Sequence, residues 1–495
     1  MEFNPVTLAL LLAWLFYGMR QLDESAVVPA GWQRKGGGTV RPRNFEWVIL
    51  FFGPAVLVFD KLREFWSTHL RFFWRDARRK LKYADLSFVD ARGNQMYGNE
   101  CNNPAIDELK DIILEALKKR ASDIFLDPVA GNDISLRFRI DGALVQIKTL
   151  DPEFGDNVVN AIKVAAGMDI TEKRRPQDGS FSTCHEDSVV AFRVATVGAF
   201  GGEKVALRLL GSENAPRTLE AIGFAPEQLD IMKRSVSLPS GMILMCGNTG
   251  SGKTTTLYAL IGAIDYSLKN VISIEDPVER VLPNVSQMEV NAKAGITFAS
   301  LLRNALRQNP DVICLGEIRD EETAGIAVNA AQTGHLIIST VHSNDAVDTI
   351  DRLANLGVPL RSLAATVRVI VNQRLARRLC GHCKKPLGEL PEKWRDHFAR
   401  NGIDPSGVCR PVGCPECSGT GYQGRFAFLD ILVIDNDIRE ELEKEDASLL
   451  RIKQLAEAKD AAGSPLCRGA ALAAAGVTSL EEIERITMTL DGGGL

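Results

Sequence analysis

The sequence predicts an α/β protein built around a parallel, doubly wound sheet. Three observations carry that expectation. First, four short apolar runs, "GMILMCG", "VISIED", "DVICLGE" and "HLIISTVH", alternate with helix-like stretches over residues 224–375. Short buried strands separated by helices imply parallel strands covered on both faces. Second, the first run leads straight into Gly247-Asn248-Thr249-Gly250-Ser251-Gly252-Lys253-Thr254 and then the helical stretch "TTTLYALIGAI". Third, the other runs end in polar groups: Glu275-Asp276 with Glu279 beyond, Glu317 with Arg319 and Asp320, and a last run bracketed by His335 and His342. Sheets of this class bind ligands beyond the carboxyl ends of their strands.

Around that core the chain divides in order. Its 495 residues are too many for one hydrophobic core. Residues 1–82 contain two uncharged apolar runs, "PVTLALLLAWLFYGM" and "WVILFFGPAVLVF", followed by Lys61, Arg63, Arg71, Arg75, Arg78, Arg79, Lys80 and Lys82. Each run is shorter than the roughly 20 residues of a spanning helix, but flanking aromatic and basic residues extend the reach. We expect membrane-associated segments with the basic stretch on the cytoplasmic side, against anionic lipid. Residues 1–82 hold 13 Lys/Arg against 7 Asp/Glu, so the remainder of a chain of net charge −5 is acidic, which argues against a nucleic-acid substrate.

Residues 103–212 read as an α+β domain. A helix with three- and four-residue apolar spacing precedes two alternating strand pairs, with turns at Asp141-Gly142 and Gly201-Gly202. Residues 376–425 hold two C-x-x-C pairs, and residues 426–495 read as mostly helical.

The glycine loop satisfies G-x-x-x-x-G-K-[ST] in the strand–loop–helix context the motif needs. Its backbone amides, from Gly247 through Thr254 and Thr255, suit a nucleotide's phosphates. Lys253 would reach the β- and γ-phosphates of ATP, and Thr254 would hold Mg²⁺. A carboxylate such as Glu275 or Glu317 beside that ion orients the attacking water, and a histidine near the γ-phosphate donates to it.

Cys380, Cys383, Cys414 and Cys417 offer four thiolates in a spacing suited to structural Zn²⁺. Two redox pairs are the alternative, and Cys409 and His382 lie close enough in sequence to compete as ligands. The other cysteines are scattered, which fits a reducing compartment.

The segments "GNTGSGKTTTLYA", "SIEDPVE", "LLRNALRQNPDVICLGEIRD" and "TGHLIISTVHSNDA" resemble, in order, the Walker A, acidic, Walker B and histidine boxes of the secretion ATPase superfamily. The resemblance is strongest to the type II secretion and type IV pilus assembly ATPases, the general secretory pathway protein E group, and spans about residues 103–490. It implies RecA-like domains in a hexameric homo-oligomer, and an ATP-hydrolysing motor for pseudopilus or pilus assembly and protein export. Such a motor would work at the cytoplasmic face of the inner membrane against a platform protein. It implies that Glu317 and Glu275 are the Walker B and acidic-box carboxylates, unranked for water activation, and that His335 and His342 sense the γ-phosphate. Arg193 and Arg208 of the N-terminal domain would reach the nucleotide, and Arg303 and Arg307 would reach it from a neighbouring subunit. It also supports zinc at the four cysteines. The chain departs from the family pattern at Phe125, where histidine is usual, and at Asn248, where proline is common. A DNA-transport ATPase of the same superfamily is the alternative.

Overall fold

The four apolar runs become neighbouring strands in the computed structural model, which describes residues 86–90, 94–97, 103–129, 133–185, 188–210, 218–459 and 464–487. The two apolar runs and the basic stretch of residues 1–82 lie outside the described residues. Among the described residues no helix is long and apolar enough to cross a membrane.

Eight antiparallel strands form the first sheet: β1 (Ser87–Asp90), β2 (Gln95–Met96), β3 (Ala121–Pro128), β4 (Ile134–Ile140), β5 (Ala143–Leu150), β6 (Gln177–His185), β7 (Ser188–Ala199) and β8 (Gly202–Leu210), in the order β2-β1-β6-β7-β8-β3-β4-β5. The two expected hairpins form. Asp141 and Gly142 both take positive φ at the β4–β5 turn, and Gly201 does so at the β7–β8 turn. Two amphipathic helices, α1 (Pro104–Lys118) and α2 (Pro152–Ala165), bury Leu109, Ile113, Val158 and Ile162 against Phe138 and Phe192 of the sheet. Asn103 and Asp151 cap the helices by accepting from the first-turn amides of Ala105 and Phe154.

The second sheet is seven-stranded: β9 (Gly241–Cys246), β10 (Val271–Glu275), β11 (Ser286–Glu289), β12 (Val312–Leu315), β13 (Leu336–Val341), β14 (Val367–Leu379) and, after a short pair β15 (Lys385–Pro386) and β16 (Cys409–Arg410), β17 (Tyr422–Val433). The order is β11-β10-β12-β13-β9-β14-β17, parallel throughout except the edge strand β17. Strands β9, β10, β12 and β13 are buried at every residue, which is why they read as unbroken apolar runs. One apolar layer packs Phe298, Leu302, Ala327, Ile350 and Leu363 on one face, and another packs Met232, Leu257, Leu260 and Ile261 on the other. That is a doubly wound α/β fold.

Strand β14 runs through residues 375 and 376, and β17 through 425 and 426. The cysteine segment therefore grows out of the end of a two-stranded ribbon of the core sheet. A fourth apolar cluster, of Trp394, Phe398, Ala470, Ile483 and Ile486, joins that segment to the last two helices, Pro465–Ala474 and Leu480–Thr487.

Candidate nucleotide and metal sites

The parallel register sets the geometry of the candidate site. Val341 lies beside Cys246, and Leu315 beside Ser339, so Gly247, Gly316-Glu317 and His342 emerge at the same end of the sheet. The segment after β12 is tied to β13: Thr340 Oγ1 donates to the Gly316 carbonyl at 2.6 Å, and the Ile318 amide to the Thr340 carbonyl at 3.0 Å. Helix α3 (Lys253–Gly262) starts directly from the loop.

Lys253 is almost fully buried and folds back on its own loop, donating to the carbonyls of Gly247 at 2.7 Å and Asn248 at 3.0 Å. Burial lowers its pKa, and Glu317 is one of the groups that oppose this. Glu317 ion-pairs Arg319 through Oε1. Its Oε2 is buried, accepts no hydrogen bond, and stands 3.4 Å from His342 Nε2. Burial and then the Lys253 charge hold the His342 pKa below its ordinary value, which favours the neutral ring. Ser251 Oγ is likewise buried without a partner inside the loop. A buried hydroxyl on the loop and a buried carboxylate oxygen at the same end of the sheet fit a site made for a phosphate and its cation.

Glu275 lies in a different environment. It is buried, with Oε2 accepting from Tyr258 Oη at 2.5 Å and Oε1 from Ser273 Oγ at 2.6 Å and Gln287 Nε2 at 2.9 Å. Tyr258 sits on α3 and Gln287 on β11, so this carboxylate ties the phosphate-loop helix to the edge of the sheet. Four residues on, Glu279 has its pKa raised by burial and then by Glu275, against the pull of Arg208 and Arg193. Those arginines are direct neighbours across β7 and β8, and Asp123 on β3 holds Arg208 Nε at 3.0 Å. The charges of these two arginines of the first domain thus act on Glu279.

The four cysteine sulfurs lie within 4.8 Å of one another. Cys380–Cys414 and Cys383–Cys417 are 3.9 Å apart and Cys414–Cys417 is 3.7 Å. A tetrahedron with metal–sulfur bonds of about 2.3 Å has edges of about 3.8 Å, so the set fits one zinc ion. All four are free thiols, and no disulfide joins the described residues. Burial pushes the Cys417 thiol up, but amides of Cys414 and Gly421 outweigh it and hold the pKa at about 7. Cys409 instead donates to the Gly407 carbonyl, and the exposed His382 is not in the cluster.

With this geometry, the family model described as type II/IV secretion system protein matches residues 99–485. The chain belongs to that family. It is 40% identical over 386 residues to the type II secretion system protein HxcR of Pseudomonas aeruginosa, covering 78% of this chain and 77% of that protein. It is 38% identical over 411 residues to the type IV pilus assembly ATPase PilB of the same organism, covering 82% and 72%. Among solved structures, the pilus retraction motor PilT with bound ADP is 25% identical at a TM-score of 0.52, covering 77% of this chain and 97% of that one. The ATPase DotB of Legionella pneumophila has a TM-score of 0.56 at 19% identity, covering 77% and 95%, a likeness of fold.

Within this secretion-family chain the structure places the loop Gly247–Thr255, Glu275, Glu317 and His342 at the same end of the sheet, and the charges of Arg193 and Arg208 act on Glu279. One expectation is corrected. His335 precedes β13 and its carbonyl accepts from the Gly241 amide, at the strand's amino end. Six strand residues separate it from His342, a span of about 23 Å at roughly 3.3 Å per residue step. Its Nδ1 sits 3.0 Å from the Ala330 carbonyl, so in this chain it belongs to a helix end and not to the phosphate loop. Arg303 ion-pairs Glu322, and Arg307 donates to the Arg303 carbonyl at 3.0 Å; among the described residues neither bonds to the loop.

Glu279 was singled out in the sequence as an acid beyond the second strand; one side chain that bonds to the phosphate loop escaped that reading. Gln373 was overlooked, although a glutamine between the apolar halves of "VIVNQRLA" is an unusual residue for a buried strand.

Proposed function

We propose that this protein is the ATP-hydrolysing motor of a type II secretion or type IV pilus assembly machine. The observation that carries the reading is the convergence of Lys253, Glu317 and His342 at the carboxyl ends of adjacent parallel strands. Lys253 leaves the carbonyls of its own loop for the β- and γ-phosphates, which offer a stronger acceptor than neutral oxygens. Thr254 and the Glu317 side would hold Mg²⁺, which supplies charge neutralisation of the phosphates when bound. Glu317 orients the attacking water, and neutral His342 donates from Nε2 towards the γ-phosphate. Glu275 is saturated by three donors and holds α3 and β11 in place, so we rank it below Glu317 for water activation. Arg193 and Arg208 reach the nucleotide from the first domain, while Arg303 and Arg307 serve a neighbouring copy in a hexameric ring. The four cysteines hold a structural zinc with no open position.

The same reading places the motor at the cytoplasmic face of the inner membrane. The basic stretch before residue 83 meets anionic lipid there, and a platform protein of the machine is the partner.

Glu317→Gln tests the reading. ATP turnover falls by about 100-fold or more while nucleotide binding persists, as expected for a group that acts on the reacting water. Cross-linking this variant in native membranes recovers an inner-membrane platform protein with pilin-like subunits. Wild-type turnover in the variant, or recovery of DNA without such partners, overturns it.

A further inference from the structure

The phosphate loop rests on a side chain that lies outside every nucleotide-binding box. Gln373 is in the middle of β14, 2% exposed. Its Oε1 accepts from Thr256 Oγ1 at 2.7 Å, and its Nε2 donates to the Ser251 carbonyl at 2.9 Å. Thr256 is fully buried on the first turn of α3, and Ser251 lies inside the loop. One amide thus holds the loop and the start of its helix to a third element. Two of the loop's glycines are shaped by the same residue. A Cβ on Gly247 would come 2.3 Å from the Gln373 carbonyl oxygen, and one on Gly252 would come 2.8 Å from Nε2. Both have positive φ, so an L side chain is excluded there twice, by conformation and by contact.

We infer that Gln373 is a positioning residue for nucleotide binding: it fixes the curvature of the phosphate loop so that its amides point at the phosphates. The inference rests on the ATPase reading. Its logic is the pairing of one donor and one acceptor on a single planar group. A hydroxyl faces Oε1 and a carbonyl faces Nε2, and only a primary amide satisfies both. Leaving that carbonyl and hydroxyl buried without partners loosens the loop in the free protein, and binding must then re-order it. The loop cradles the phosphates alike in the ground and transition states, so the loss falls on KM more than on kcat.

The test compares Gln373→Met, Thr256→Val and Thr256→Ser with the wild type in the full chain. The readouts are KM and kcat for Mg-ATP, affinity for a fluorescent ATP analogue, and thermal unfolding without nucleotide. Gln373→Met, of similar volume, raises KM and the analogue's Kd about tenfold, as expected for a buried acceptor left unpaired, with kcat within about threefold. Thr256→Val gives a smaller rise in the same direction, and Thr256→Ser, which keeps the hydroxyl, returns KM towards the wild-type value. Thr256→Val keeps the test decisive should Gln373→Met fail to fold. A folded Gln373→Met, or Thr256→Val, with unchanged KM and analogue affinity overturns the inference and leaves the ATPase reading intact. A wild type that binds no ATP analogue overturns the ATPase reading itself, and this inference with it.

Discussion

Glu275 and Glu317 end two neighbouring strands, and their surroundings give them different work. Glu275 accepts from a tyrosine, a serine and a glutamine that belong to three elements, whereas Glu317 keeps one buried oxygen free of hydrogen bonds. Glu275→Gln replaces one acceptor oxygen with a donor, facing either Tyr258 Oη or the Ser273 Oγ and Gln287 Nε2 pair. It lowers stability by about 1–3 kcal/mol, read as a drop in Tm, and its turnover falls less than that of Glu317→Gln. A Glu275→Gln enzyme with unchanged Tm and lost turnover would reverse the ranking of the two carboxylates. At this scale much was legible. The G-x-x-x-x-G-K-[ST] pattern fixes a loop because its chemistry is local, and the loop sits where the pattern put it. Gln373 was not legible, because its role comes from Ser251 and Thr256, distant in sequence; Glu279 was legible as a strand-end acid, but not the charges of Arg193 and Arg208 that act on it.

Elements add direction to that local chemistry. His335 and His342 are equivalent in sequence, each flanking the same apolar run. Only the parallel pairing of β13 with β9 shows that one faces the loop and the other the far edge. Likewise the expected boundary between residues 375 and 376 falls inside "VRVIVNQRLARRL", which forms the continuous strand β14. Its central residue braces the phosphate loop, and the residue after its last is Cys380, the first of the four sulfurs. The ribbon of β14 and β17 therefore joins the two sites. Cys417→Ser removes a buried member of the cluster. Bound zinc falls well below one ion per chain, and Tm drops by about 5 °C or more, the scale of losing a structural staple. Metal analysis with a melting curve checks it, and a variant that keeps its zinc and its Tm would return the cysteines to the redox alternative.

Across the whole described structure, several polar contacts between distant segments meet on the β14–β17 ribbon. Asp141, at the β4–β5 turn of the first domain, accepts from the Gly424 amide of β17 at 2.6 Å, with Arg425 Nε 3.7 Å away. On the other side of the ribbon Glu482, fully buried on the last helix, accepts from Arg377 of β14 at 2.6 Å and from Arg485 at 2.6 Å. Arg377 also stacks on Tyr422, 4.1 Å from the ring centre. Burial pushes the Glu482 pKa up, but the two arginines outweigh it and hold it below its ordinary value of 4.5. The folded-state pKa is depressed, so the stabilisation is complete above the unfolded pKa near 4.5 and disappears as pH falls through the folded value. Glu482→Gln lowers stability at pH 7 by about 1–3 kcal/mol, the scale of the charge-assisted bonds lost to Arg377 and the half-exposed Arg485. The gap between variant and wild type narrows below pH 4.5, and melting curves from pH 3 to 7 read both. A gap that stays constant through that range would assign the loss to packing.

The same ribbon has a consequence for how the chain is put together. Strands β14 and β17 are hydrogen-bonded partners, yet a detour of roughly 40 residues separates them, and closing so long a loop costs about 3 kcal/mol of chain entropy. Cys380 and Cys417 lie next to the two ends of that detour. A zinc ion joining them would shorten it to the few residues beside each strand. Such an ion would act apart from any nucleotide, as a knot that helps the last strand of the sheet find its place.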